Sequence, residues 1–336
     1  MRALVTGAGG FLGGAITRQL LERSDEVRSL ARGAYPELEA LGVETRRGSV
    51  ADVDDVFEAA EGCDIVFHVA AKAGIWGPKV DYFRTNVVGT RNVLAVCQKL
   101  GIERLVYTSS PSVVFSGGDI EGRDESLPYP ERYLAAYPET KARAEQEVLA
   151  ANGPSLRTVA LRPHLIWGPG DNHLVPRLIA RAKAGQLRLV AGGRGRVDSV
   201  YIDDAARAHL LAADAIAAVD SPAAGQAYFI SQGEPWTMRD LLNGILEAAG
   251  LPPESRSIPG PVAYFAGALM ELSYRARGKT EEPRMTRFLA HQLARAHWFD
   301  ITAARRDLGY EPSMSIHEGL ERLRESLRET RAHTGP

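Results

Sequence analysis

Residues 6–13 read TGAGGFLG, and how this stretch is read decides the fold. It follows a short β-rich run, ALVTG at 3–7, and opens a helical pattern over 11–23. Glycines 7, 10 and 13 give a G-x-x-G-x-x-G spacing. In a strand–turn–helix unit the first permits the tight turn, the second lets backbone approach a pyrophosphate, and the third allows close helix–strand packing. The helix start then offers free N–H groups and a positive dipole end to phosphates. Gly7, Gly10, Phe11, Leu12 and Gly13 are therefore candidate cofactor-binding residues. A glycine-rich turn also arises for structural reasons alone, so the surrounding pattern has to carry the reading.

That pattern is an alternation of strand and helix. Beyond ALVTG, strand candidates are EVRSL (26–30), DIVFHVA (64–70), RLVYTSS (104–110) and RTVALRP (157–163). Helical patterns near 53–60, 81–99 and 137–151 lie between them. Such alternation calls for parallel strands joined by right-handed crossovers, with helices on both faces. The continuous apolar character of DIVFHVA fits a strand buried on both sides. The fold class is α/β, a Rossmann-type doubly wound parallel sheet. After residue 163 the rhythm breaks at WGPGD (167–171) and AGGRGR (191–196), and a helix (YIDDAARAHLLAADA, 201–215) and a strand (AYFIS, 227–231) follow. The expected division is an NADP-binding domain over 1–163, to which 201–232 returns, and a smaller, mostly helical substrate region over 164–200 and 233–336. A charged amphipathic helix is expected from Gly319 onward.

Composition narrows the function classes. The chain has 336 residues, 45% hydrophobic and 24% charged, with a formal net charge of −2. These are values of a soluble globular protein with no global pull toward nucleic acid, so no nucleic-acid partner is expected. Cys63 and Cys97 show no metal-ligand spacing and point to a reducing, cytoplasmic setting. A strand that begins at Ala3 leaves no room for a signal peptide. The eight histidines form no H-E-x-x-H cluster, so no metal is expected.

The second strand ends Ser29-Leu30-Ala31-Arg32, without the acid that an NAD site uses for the ribose hydroxyls. Arg32 suits a 2′-phosphate by charge and by bidentate geometry, which favours NADPH/NADP+. The proton-transfer candidates come from AYPETK (136–141), where Tyr137 and Lys141 share one helical face at i and i+4. A phenol titrates near pH 10, and an ammonium ~4 Å away at an effective dielectric of about 20 favours phenolate by about 4 kcal/mol before desolvation. Pro138 biases Tyr137 away from helical geometry and suits the first turn, where its missing N–H costs little. Ser109 and Ser110 end the strand at 104–110 and offer hydroxyls where doubly wound sheets bind ligands.

With these residues the sequence resembles the extended short-chain dehydrogenase/reductases over nearly its whole length. The resemblance rests on TGAGGFLG, HVAA (68–71), TNVVGT (85–90), YTSS (107–110), YPETK (137–141), LRPHLIWGPGD (161–171) and YIDDAARAH (201–209). Within that family it is similar to the 3β-hydroxysteroid dehydrogenase branch. AAKAGIWG (70–77) and YTSSPSVVF (107–115) are most similar to the 2-alkyl-3-oxoalkanoate reductases of bacterial long-chain olefin biosynthesis. The resemblance implies Tyr137 as general acid/base, Lys141 lowering its pKa and binding the nicotinamide ribose, and Ser110 holding the substrate carbonyl, with Ser109 as fallback. It implies that Asn86 organises a water near the lysine and that Ala70 and Pro163 flank the cofactor. One departure is Gly48-Ser49-Val50, where the family often has Gly-Asp-Leu with the Asp on adenine. Ser49 and Val50 take that place here.

The implied substrate is a hydrophobic small molecule. Lys72 and Trp76 are placed near the nicotinamide, Lys72 to meet a substrate carboxylate, and His164 at the pocket wall. Lys72 reads equally as a solvated loop lysine, and His164 as a packed or solvent-facing histidine. The run IPGPVAYFAGALMELSY (258–274) caps a lipid-shaped pocket, touches a membrane or partner enzymes of the same pathway, or packs in the smaller region. Its apolar part is far short of the ~20 residues that span a bilayer. A homodimer is expected. Other readings of the same motifs are a 3β-hydroxysteroid dehydrogenase, a nucleotide-sugar epimerase or dehydratase, and a non-catalytic NADP-sensing protein. The last predicts a broken Ser-Tyr-Lys set, whereas all three residues are present.

Overall fold

Seven short runs pair into one all-parallel sheet: β1 (Arg2–Thr6), β2 (Glu26–Ala31), β3 (Glu44–Arg47), β4 (Ile65–His68), β5 (Arg104–Thr108), β6 (Arg157–Pro163) and β7 (Gln226–Ile230). The computed structural model describes residues 1–333, so the end of the 233–336 segment lies outside the described residues. The strand order is β7-β6-β5-β4-β1-β2-β3, and it reverses between β1 and β4. A crevice opens at that reversal, beyond the carboxyl ends of the strands, which is the ligand position of doubly wound sheets.

Alternate residues of β1 feed two separate cores. Ala3 and Val5 pack with Ile16 and Leu20 of α1 (Phe11–Glu22), while Leu4 packs with residues of α2 (Val53–Ala60), α3 (Gly89–Leu100) and α4 (Ala136–Ala150). Helices therefore cover both faces, and α5 (Ile202–Ala215) lies beside α1. Every residue in β4 and β6 is buried, which matches the continuous apolar character of DIVFHVA around β4. β3 is the exception. Its sequence, ETRR, carries no buried residue, and it closes the sheet as a charged edge.

The smaller region is built from short strands and helices. Trp236–Thr237, Arg196–Val197, His297–Phe299 and Ile120–Arg123 form a second, four-stranded sheet. Ile120–Arg123 comes from within 1–163, so this sheet draws on segments from both expected parts of the chain. The helix α6 (Gly260–Ala276) buries only Ala263, Gly267 and Glu271, while Val262, Phe265, Leu269 and Leu272 are 55–69% exposed. Among the described residues no helix is long and apolar enough to cross a membrane.

Candidate active site

The glycine turn forms the floor of a cleft of about 720 Å³ at the β1–β4 reversal. Gly7 takes φ +75° in the tight turn, and a Cβ on Gly13 would come within 2.2 Å of the Gly7 carbonyl oxygen. The start of α1 has no side-chain cap and no acidic residue in its first turn, which leaves its N–H groups to an anion. Gly10, Phe11, Leu12, Arg32, Ser49, Val50, Ala70 and Pro163 also line the cleft. The Ser49 hydroxyl accepts from the Ala51 N–H at 3.2 Å, which leaves its own proton to donate. Arg32 is exposed and, among the described residues, holds no ion pair.

The carboxyl end of β5 meets the first turn of α4 on the opposite wall. Tyr137 follows an extended Ala135 cap and lies half-buried beside Ser110, whose hydroxyl bonds its phenol. The Ser110 hydroxyl also shares a 2.9 Å hydrogen bond with that of Ser112. Ser109 reaches the same cleft with a buried Oγ that has no hydrogen-bond partner among the described residues. Lys141 is buried, donates to the Thr108 carbonyl at 2.6 Å and lies 4.1 Å from the centre of the Tyr107 ring. The structure thus brings Tyr137, Ser110, Ser109 and Lys141 to one wall.

Electrostatics differ from what the i, i+4 spacing alone suggests. Burial raises the Tyr137 phenol, and the hydrogen bond to Ser110, rather than an ammonium, opposes that rise. Burial also lowers Lys141 to about 7, opposed by the charge of Glu145. The sign for stability follows directly. Below pH ~10.4 the unfolded lysine binds a proton that the folded one releases above about 7, so folding gains stability as pH rises through that window. Lys141→Met removes the slope: its stabilisation relative to wild type in thermal unfolding is expected to be larger at pH 7 than at pH 9. A pH-independent difference would contradict the assignment.

A buried polar chain holds this wall to the glycine turn. The Thr90 hydroxyl donates to the Asn86 carbonyl at 2.6 Å and so accepts from His68 Nε2 at 3.0 Å. His68 Nδ1 then accepts from the Thr6 hydroxyl at 2.8 Å, whose oxygen takes the Val69 and Ala70 N–H groups at 3.1 Å each. Every link has one consistent donor, and His68 stays neutral because burial and the charge of Lys141 hold it down to about 3. Asn86 sits in a π-helical stretch, Phe83–Val88, and its side chain bonds Thr140 of α4 and both backbone groups of Lys72. Such local π turns are frequent at functional sites.

Three candidates are placed elsewhere. The Lys72 ammonium is turned to Asp81 at 3.9 Å and to the Tyr82 ring, so it does not line the cleft. His164 is buried and donates to His297 Nδ1 at 2.6 Å, since His297 Nε2 is committed to the Gln292 carbonyl. It belongs to the packing between β6 and His297–Phe299 rather than to the cleft wall. Trp76 lines a second cavity beside the first. Sequence reasoning missed Tyr35, whose ring lies so close over Gly9 that a Cβ there would come within 2.1 Å of it. Tyr35 lines the cleft next to Arg32, and its only signal was that proximity in sequence. Leu165, Asp171 and His173 also line it; the first two lie within LRPHLIWGPGD, a stretch in which only Pro163 and His164 had been assigned roles.

A dinucleotide cradle facing a serine, a tyrosine and a lysine at one strand end defines a nicotinamide-dependent oxidoreductase of the short-chain type. A family model described as "3-beta hydroxysteroid dehydrogenase/isomerase family" matches residues 4–259, and the chain belongs to that family. Curated relatives agree. The chain is 52% identical over 332 residues to the 2-alkyl-3-oxoalkanoate reductase of Shewanella oneidensis, covering 97% of this chain and 86% of that one. It is 52% identical to the protein of the same name from Stenotrophomonas maltophilia, covering 97% and 99%. Among solved structures, the UDP-glucose 4-epimerase of Thermus thermophilus in complex with NAD superposes with TM-score 0.74 at 27% identity, over 98% of this chain and 100% of that one.

Proposed function

We propose that this protein reduces the 3-keto group of a hydrophobic 2-alkyl-3-oxoalkanoate to the 3-hydroxy acid with NADPH, a step of long-chain olefin biosynthesis. The observation that carries the chemistry is the meeting of Tyr137 and Ser110 at the end of β5. The substrate class rests on the two relatives of that name at 52% identity. When bound, the reduced nicotinamide supplies the hydride. Tyr137, kept neutral by burial, gives its proton to the carbonyl oxygen as charge builds there. The Ser110 hydroxyl donates a hydrogen bond to the same oxygen and fixes its position. Lys141, one helical turn behind and lowered to about 7, exchanges protons near neutrality and restores the phenol.

The glycine turn and the bare start of α1 fit a pyrophosphate, and unpaired Arg32 fits a 2′-phosphate. Arg32→Ala is expected to lower the preference for NADPH over NADH by about 10- to 100-fold, on the scale of one lost charge-assisted contact. Steady-state kinetics with both cofactors read this, and equal loss with both would contradict it. Oxidation of a 3β-hydroxysteroid is the second reading, favoured by the description of the matching family. NADP+ reduction with a 2-alkyl-3-hydroxyalkanoate against a 3β-hydroxysteroid separates the two. The exposed apolar face of α6, with Arg275 in its last turn and Arg277 and Lys279 just beyond, supports peripheral contact of a cytoplasmic enzyme with an anionic lipid surface. Co-sedimentation with phosphatidylglycerol vesicles, lost in Phe265→Glu, tests that contact. A homodimer is tested by sedimentation equilibrium.

A further inference from the structure

We propose that the second cavity, distinct from the cofactor cleft, is a binding site for one alkyl chain of the substrate; this rests on the keto-acid reading above. The cavity measures about 490 Å³ and is walled by the loop at 75–79, residues 133–136 and the carboxyl-terminal part of α6. It shares no lining residue with the cleft, yet the two adjoin through the same two segments. Ala73 and Tyr137 line the cleft, whereas Ile75 and Ala136 line the cavity. A ligand whose carbonyl sits at Tyr137 therefore has this cavity within reach of a chain attached a bond or two away.

The chemistry of the wall selects the chain. Four of the lining aromatic residues carry a polar atom, and in three of them a backbone carbonyl consumes it, while the fourth, Tyr274, packs edge-on against the Trp76 ring. Trp76 Nε1 donates to the Lys279 carbonyl at 3.0 Å, the Tyr82 hydroxyl to that of Trp76 at 2.8 Å, and the Tyr133 hydroxyl to that of Val113 at 2.9 Å. These three present ring carbon to the cavity, joined by Ile75, Leu134 and Phe288. The lining charges are likewise engaged: Lys79 pairs with Glu139 at 2.6 Å, Glu271 with Arg287 at 2.9 Å, Arg275 lies over the Trp76 ring and Lys279 over the Tyr274 ring. A sugar hydroxyl placed here would lose its water without gaining partners from these groups, a cost that an alkyl chain does not meet. The volume is about three times that of a ~150 Å³ cavity that takes a benzene ring, room for a chain on the order of a dozen carbons. The same wall gives Trp76 a role in the bound chain's environment rather than at the nicotinamide.

The test narrows the cavity from its exposed rim, with Thr280→Trp and, independently, Leu134→Trp. For wild type, kcat/KM for NADP+ reduction is expected to rise by up to about 4-fold per added methylene of the 2-alkyl-3-hydroxyalkanoate, until the cavity fills. Each variant is expected to lower the ratio of long-chain to short-chain kcat/KM at least about 10-fold. Calorimetric titration with dodecanoate gives a reading independent of turnover: binding to wild type, weakened by a similar factor in either variant. A chain-length ratio and a dodecanoate affinity that neither variant changes would overturn the proposal. Absent keto-acid chemistry with dodecanoate binding that responds to both variants would sink the reaction assignment and leave the chain site standing.

Discussion

Replacing Tyr137 by Phe is expected to lower kcat by about 10²- to 10⁴-fold, the usual worth of a positioned proton donor, while NADPH binding stays within about twofold. The substitution removes one oxygen and keeps the ring that fills the first turn of α4. The cradle for the dinucleotide is carried by β1, α1 and the end of β2, which do not depend on the phenol. Fluorescence titration with NADPH and steady-state kinetics together read the split. Unchanged turnover would remove Tyr137 from the chemistry, and a parallel loss of NADPH affinity would make its role one of packing.

Arg162→Met is expected to cost about 3–5 kcal/mol of stability. Arg162 on β6 and Glu145 on α4 are both buried, with contacts of 3.0 Å (Nε–Oε2) and 2.6 Å (Nη2–Oε1). The Tyr129 hydroxyl also donates to Glu145 at 2.6 Å. Removing the guanidinium strands a carboxylate without water, which is where the cost arises. The double variant Arg162→Met, Glu145→Leu removes both charges and is expected to be more stable than Arg162→Met alone. Urea unfolding of the three proteins checks the order, and a double variant no better than the single would contradict it. Because Glu145 lies one turn past Lys141 and opposes its low pKa, the pair also links the stability of α4 to the site.

The sequence carried the sheet where β-rich runs lie buried on two faces. RTVALRP became β6 with all seven residues buried, and DIVFHVA contained β4. It did not carry β3, since ETRR at a solvated edge has neither alternation nor apolar content. Glycine spacing and the Tyr-Lys interval were legible because local geometry fixes them. Tyr35 was not, because its place over Gly9 depends on how the loop after β2 folds back. Lys72 and His164 were near the site in sequence but are claimed by Asp81 and by His297, partners distant or unmarked in the chain. The Coulomb argument for Lys141 on Tyr137 was taken before desolvation, and burial is the larger influence on both groups. The apolar run near 260–274 divided between two roles, one face packed and the other exposed.

The most direct test is the rate of NADP+ reduction by wild-type enzyme given a long-chain 2-alkyl-3-hydroxyalkanoate, beside a 3β-hydroxysteroid and NAD+ as the alternative pair. Turnover of the hydroxy acid with NADP+, abolished in Tyr137→Phe and well above that of the steroid, is the predicted result. Turnover of the steroid alone, or of the hydroxy acid equally in wild type and Tyr137→Phe, would contradict it.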